Sequence, residues 1–245
     1  MKQQTNIRPF CFLLAAVVFV FALAATVNGQ ERTPSTADEQ TIEIWDQPTL
    51  TMGEGLYGFL PDWFLLLKVD AGHSGHFGSA AFIGNRLVLT CHHNVRGVKA
   101  NQIKLRNASG ETFSDVSIVQ VSPKLDLALL KVRGEIEDHS TLTVSNGNFK
   151  PDGPLAALGF NPSEDAICLY QGRASGQSYG EPGLKGVVYT GHSAKVVQGM
   201  SGGPLLDWSN QLVGVNVAAS DDESLATNLT RIQWFLDQYK GGDDD

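Results

Sequence analysis

The sequence predicts an all-β protein that ends in a single helix. Three observations carry this expectation. From Trp63 onward, short apolar runs alternate with turn signals built from Gly, Asn, Asp and Pro. No helical period lies between one run and the next, so a βαβ arrangement is excluded and a β-sandwich or a pair of β-barrels remains. Near the end the period changes, with Leu225, Leu229, Ile232, Leu236 and Tyr239 recurring at helical spacing.

Taken in order, the chain opens with Lys2 and Arg8 and then an apolar stretch from Phe10 to about Val27. Small residues follow it, the pattern of a signal peptide over residues 1–29, cut after Gly29 or after Ala24. Such a leader implies a secreted or periplasmic protein, and a membrane-bound one only if the segment stays uncleaved. Residues 30–55 are polar and read as an exposed leader or linker. The folded domain is expected over residues 56–240. Its first group of strands falls near 63–69, 79–83, 87–90, 102–105, 116–121 and 127–132, with Asn107-Ala108-Ser109-Gly110 marking a hairpin. A second group falls near 155–158, 166–171, 186–189, 195–197, 203–206 and 211–217. The dividing point is near Val144–Pro154. The helix is expected over about 221–239, with Ser220-x-x-Glu223 as its capping box, and residues 241–245 form an acidic, solvated tail.

Charge narrows the partners. The chain carries 18 basic and 26 acidic residues, a net charge of −8, and loss of Lys2 and Arg8 with the leader takes it to −10. An acidic domain without a basic stripe is a poor match for nucleic acid or for an anionic membrane surface.

Three segments carry chemistry. In Gln198-Gly199-Met200-Ser201-Gly202-Gly203-Pro204-Leu205, a serine lies among glycines ahead of an apolar run. Glycines permit the sharp turn and leave room for a substrate carbonyl beside backbone N–H donors. In Arg86–Val95 an apolar run ends in two histidines, His92 and His93. In Lys124–Val132 a lone carboxylate, Asp126, lies in an apolar run, where an ionised acid needs a partner. Histidine, aspartate and serine therefore occur in the order used by one of the convergent hydrolase triads. His73 and His76, in Ala71-Gly72-His73-Ser74-Gly75-His76, read as a glycine-rich hairpin rather than a metal pair. No metal and no cofactor is expected.

These blocks resemble those of the chymotrypsin/trypsin superfamily, and most closely its bacterial HtrA/DegP-like branch. Leu89-Thr90-x-x-His93 is similar to the family's histidine block, Asp126-Leu127-Ala128-Leu129-Leu130 to its aspartate block, and Gly199-x-Ser201-Gly202-Gly203-Pro204 to its nucleophile block. Val213-Gly214-Val215-Asn216 and Gly78-Ser79-Ala80-Ala81-Phe82-Ile83 resemble the strands beside them. The resemblance implies two six-stranded antiparallel β-barrels with a C-terminal α-helix, barrel 1 over about 56–145 and barrel 2 over about 150–220. It implies a serine endopeptidase acting on protein or peptide. Ser201 would be the nucleophile, His93 the general base, Asp126 its orienting acid, and the N–H groups of Gly199 and Ser201 the oxyanion hole. The family's spacing selects His93 over His92. A substrate pocket would draw on Lys195, Val196, Gln198, Val217 and Ala219, apolar unless Lys195 points inward. His192 reads as a loop histidine.

Two departures from the trypsin pattern bear on activation. Met200 stands where trypsin-like enzymes keep an aspartate that pairs with a newly cut N-terminus, and no Ile-Val-Gly-Gly-like start precedes the first strand. No room for a PDZ domain follows the protease, so the cage assembly of the HtrA branch is not expected. Cys91 and Cys168 read as free thiols, the alternative being a disulfide between them in an oxidising compartment, which would have to cross between barrels. The alternative reading is a catalytically silent, protease-like binding protein.

Overall fold

The computed structural model describes residues 8–9, 49–52, 61–71, 74–134, 140–147, 153–220 and 223–241. The signal peptide's apolar stretch, most of the leader, His73 and most of the acidic tail lie outside them. Two short segments of the N-terminal region are described: Arg8–Pro9 and Thr49–Met52 run parallel to parts of the long strand Ala166–Gly180.

The first barrel is built from β1 (Phe64–Ala71), β2 (Ser74–Gly84), β3 (Leu87–Thr90), β4 (Ile103–Asn107), β5 (Thr112–Phe113), β6 (Val116–Ser122) and β7 (Leu127–Val132). Their order across the sheet is β5-β4-β1-β2-β3-β7-β6. Neighbouring strands pair antiparallel throughout. The sheet is rolled rather than flat. β5 lies at one edge and β6 at the other, yet only Ser114 and Asp115 separate them in sequence. The sheet is therefore an unclosed barrel with one more strand than the sequence suggests, the extra one being the two-residue β5.

The second barrel comprises β8 (Pro154–Asn161), β9 (Ala166–Gly180), β10 (Tyr189–His192), β11 (Pro204–Asp207), β12 (Leu212–Ala219) and β13 (Ser224–Asn228). The order β9-β8-β11-β12-β13-β10 returns to β9 through an additional β9–β10 pairing, which closes the ring. Closure removes the open strand edges that would otherwise invite association.

Strand β1 shows why so many runs are apolar on both faces. Leu65, Leu67 and Val69 point into the first barrel with Phe82, Ile103 and Leu105. Phe64 and Leu66 point the other way, against Leu158, Phe160 and Ile167 of the second barrel. Alternate residues thus serve two cores, a continuous apolar run by necessity. Each such fully buried side chain contributes about 1.5–3 kcal/mol against exposure. The Phe77 and Phe160 rings meet 5.4 Å apart across the same seam.

The C-terminal helix α1 (Leu229–Asp237) is shorter than the periodicity suggests. Asn228 is its N-cap, its side chain accepting from the Thr230 N–H at 2.8 Å. The residues before it, including Leu225, form β13, held on both sides by Gly191 and Ala218. Pairing with two neighbours there overrides helical spacing. The expected capping box is instead a turn, in which the Ser220 hydroxyl and N–H both donate to the Glu223 carbonyl. Two further expectations shift: 195–197 is irregular, and the strand expected near 186–189 lies at Tyr189–His192. Ile232 and Phe235 of α1 are buried, and Gln120 of β6 donates to the Phe235 carbonyl at 2.6 Å. The helix thereby holds the two barrels together. Among the described residues, no helix is long and apolar enough to cross a membrane.

Candidate active site

The histidine turn follows β3 directly. His92–Asn94 form one turn of 3-10 helix, which presents His93 to solvent while Asn94 is buried. Asp126 lies not within a strand but in the turn that ends one residue before β7, with φ +51°. Asp tolerates this left-handed conformation better than most residues. The turn is held from outside: the Thr227 hydroxyl of β13 donates to the Leu125 carbonyl at 2.9 Å.

His93 and Asp126 meet twice. Nδ1 lies 2.5 Å from Oδ2, and the His93 backbone N–H donates to Oδ1 at 2.9 Å. The His92 N–H donates to the Asp126 carbonyl at 3.1 Å. An ionised carboxylate accepts only, so it draws the ring proton to Nδ1 and leaves the Nε2 lone pair outward. His92 makes no such contact with the carboxylate. Partial burial lowers its pKa.

Ser201 sits in a turn between β10 and β11, and its hydroxyl donates to the Val217 carbonyl at 3.1 Å. Among the described residues, no hydrogen bond joins this hydroxyl to the His93 ring. The backbones are nonetheless linked. The Ser201 carbonyl accepts from the Ser79 N–H and from Asn94 Nδ2, each at 2.9 Å, and Asn94 adjoins His93. Gly202 lies at φ +85°, and a Cβ there would collide with the Ser79 carbonyl and the Thr90 hydroxyl. No other residue fits.

The N–H groups of Gly199 and Ser201 have no acceptor among the described residues. They are donors with nothing to donate to, beside the serine hydroxyl. Gly199 adopts φ +90°, and a Cβ on it would come within 2.6 Å of Pro162 Cδ. Met200, between the two donors, is fully buried with Leu155, Ala157 and Ala194 in the second barrel's core.

The remaining residues singled out by sequence fall in different places. Val217 and Gln198 flank Ser201, Val217 buried and Gln198 exposed, and Ala219 is exposed at the end of β12. Lys195 is exposed, its ammonium 5.3 Å from the centre of the Tyr170 ring. Val196 is buried in the second barrel's core. His192 is not in a loop; it ends β10, fully buried, and among the described residues neither ring nitrogen has a hydrogen-bond partner. Burial depresses its pKa to about 4, against the opposing influence of the Ala194 backbone and the Glu223 charge. His76 is hydrogen-bonded through Nε2 to the Asn94 carbonyl at 2.9 Å.

Cys91 and Cys168 are free and buried. The Cys91 thiol donates to the Asn216 carbonyl at 3.2 Å, and burial, with the nearby Asp126 charge, raises its pKa. The Cys91, His93 and Asp126 donor atoms lie within 4.8 Å of one another. A metal there would have to separate a ring and carboxylate already bonded and ionise a thiol that burial keeps protonated.

The sequence reading missed Ser79, Thr90 and Asn94 as contributors to the site. Their burial comes from the packing of strands distant in sequence, and polar groups so enclosed need polar partners.

Residues 78–215 match the family model of the trypsin-like peptidase domain. Among solved structures, the HtrA-type protease AlgW, with a tripeptide, superposes with a TM-score of 0.62 at 21% identity, over 73% of this chain and 59% of that one. The protease Rv3671c in an inactive form superposes at 0.61 and 20% identity, over 74% of this chain and 91% of that one. The serine endoprotease from Yersinia pestis gives 0.60 and 16% identity, over 74% and 63%. This chain thus spans about three-fifths of the AlgW chain. No curated protein sequence matches it.

Proposed function

The chain belongs to the trypsin-like peptidase family, and from that premise we propose that it is a serine endopeptidase working through an acyl-enzyme on Ser201. The observation that carries the proposal is the pair of unoccupied N–H donors of Gly199 and Ser201 beside a hydroxyl, with a His93–Asp126 couple on the adjoining turn. In the reaction the hydroxyl leaves the Val217 carbonyl and attacks the peptide carbonyl carbon. Its proton passes to His93 Nε2. Asp126 holds the ring in register and offsets the imidazolium charge. The two N–H groups receive the oxyanion, a contribution of about 3–4 kcal/mol per donor in such sites. The amine departs with the proton from His93, and water then enters by the same route in reverse to free the acid and restore Ser201.

The substrates are proteins or peptides, with the pocket beside Val217, Ala219 and Gln198. The protein is exported, on the strength of Lys2, Arg8 and the apolar stretch behind them; N-terminal sequencing of the mature protein tests this. Casein hydrolysis tests the activity. The parent protein should cleave casein and take up one equivalent of a fluorophosphonate at Ser201, and Ser201→Ala should do neither. Undiminished cleavage by Ser201→Ala would overturn the assignment. The rival reading, a silent binding protein, rests on the bond from Ser201 to Val217 and forecasts no adduct in the parent protein.

A further inference from the structure

A loop that forms an oxyanion hole has to be held, because rotation of one peptide plane would present a carbonyl where a donor is needed. Trypsin-like enzymes hold it with an ion pair to a cut chain end, for which Met200 has no charge. We infer that the buried Ser79 hydroxyl of the first barrel is the positioning group that orders this loop.

The bonding leaves its proton one destination. Ser79 Oγ accepts from the Phe160 N–H at 2.8 Å, because an N–H can only donate. The hydroxyl's single proton therefore goes to the Gly199 carbonyl, also at 2.8 Å. That carbonyl belongs to the Gly199–Met200 peptide, the plane that lies between the Gly199 and Ser201 N–H groups and whose own N–H donates to the Val197 carbonyl. Turned toward the first barrel and held there, it cannot swing into the hole. The Ser79 N–H meanwhile donates to the Ser201 carbonyl, so one residue grips the loop on both sides of Met200. Ser79 is itself fixed: its carbonyl accepts from the Thr90 hydroxyl at 2.8 Å. Its side chain is inaccessible to water, so no solvent competes for the bond. Met200 completes the anchorage from below. A Cβ on Gly159 would fall 2.6 Å from Met200 Cα, which shows how closely the loop lies on β8.

Ser79 touches no reacting atom; it is a positioning residue, and the inference rests on the peptidase reading above. Its test uses the full chain in three variants. Ser79→Ala removes the hydroxyl, and Ser79→Thr and Ser79→Val form a near-isosteric pair that differ by one hydroxyl. For each, casein and peptide-ester kinetics are compared with the affinity of a peptide boronate, which needs the hole, and of the corresponding peptide acid, which does not. Ser79→Ala should lose on the order of 10²-fold in kcat, with KM changed little, since one misplaced donor costs that much. Boronate affinity should fall in parallel while peptide-acid affinity holds. Ser79→Thr should exceed Ser79→Val by at least tenfold in kcat per folded molecule. Equal kcat for the Thr and Val proteins, or a Val protein impaired only in thermal stability, would overturn the inference. Absence of activity in the parent protein would overturn the peptidase reading instead.

Discussion

The Asn94 side chain ties the histidine turn to the Ser201 turn, donating from Nδ2 to the Ser201 carbonyl at 2.9 Å. The bond spans the two barrels, and Asn94 follows His93 without an intervening residue. The same nitrogen reaches the Thr90 hydroxyl at 3.2 Å. Gly78 is bare beneath it, where a Cβ would come within 2.5 Å of the amide. Asn94→Ala leaves the Ser201 carbonyl with the Ser79 N–H alone and should cost about 1–3 kcal/mol. Urea denaturation measures this, and an unchanged midpoint would remove Asn94 from the account.

Asp126→Asn retains the shape of the site but can stabilise the wrong ring tautomer. With the amide in place of the carboxylate, Nδ1 loses the acceptor that fixes its proton. A fall in kcat of about 10⁴-fold is expected, with the circular dichroism of the parent retained. A loss below tenfold would mean that His93 is oriented by something else.

His192 makes stability fall in acid. Its folded-state pKa of about 4 lies below the unfolded value of 6.5. Between those values the unfolded chain binds the proton and the folded one does not, so stability rises with pH across that interval. The stabilisation is complete above pH 6.5 and is lost as pH falls toward 4, on the order of 3 kcal/mol. His92, also lowered, acts in the same direction to a smaller extent because it is only partly buried. Urea midpoints at pH 4.5 and 7 should lie well apart in the parent and closer together in His192→Leu. Equal spacing in both proteins would refute the assignment.

Cys91 should be silent to alkylation until the protein unfolds. Its thiol is buried and held in the protonated form by burial and by the charge of Asp126. Iodoacetamide followed by mass spectrometry should modify it only in denaturant, with Cys168 also free and no disulfide to reduce. Rapid labelling of Cys91 in the native protein would contradict the enclosed position.

Much of the fold was legible because it depends on neighbours in sequence. The runs at 63–69 and 127–132 announced strands, and glycines around Ser201 announced a turn. The pairing of a histidine with Asp126 followed from the cost of an isolated buried acid. What escaped depends on distant residues. Ser79 meets Gly199 across 120 positions of chain, and nothing local in Gly78-Ser79-Ala80 distinguishes that serine from one in an ordinary strand. Leu225 misled for the same reason. Its helical spacing is real, but strands that pair on both of its sides determine its conformation. His192 reads as a loop histidine because turn residues surround it, and its place at a strand end is a property of the closed barrel.

The division of His93, Asp126 and Ser201 between the barrels bears on biosynthesis. A ribosome delivers His93 and Asp126 long before Ser201, so the emerging polypeptide carries the histidine and the acid without the serine. The α1 helix, which binds the halves through Gln120 and Phe235, follows Ser201 in the chain. Under the proposed function, a growing chain of this design has no complete hydrolytic site before Ser201 has emerged and the second barrel has folded.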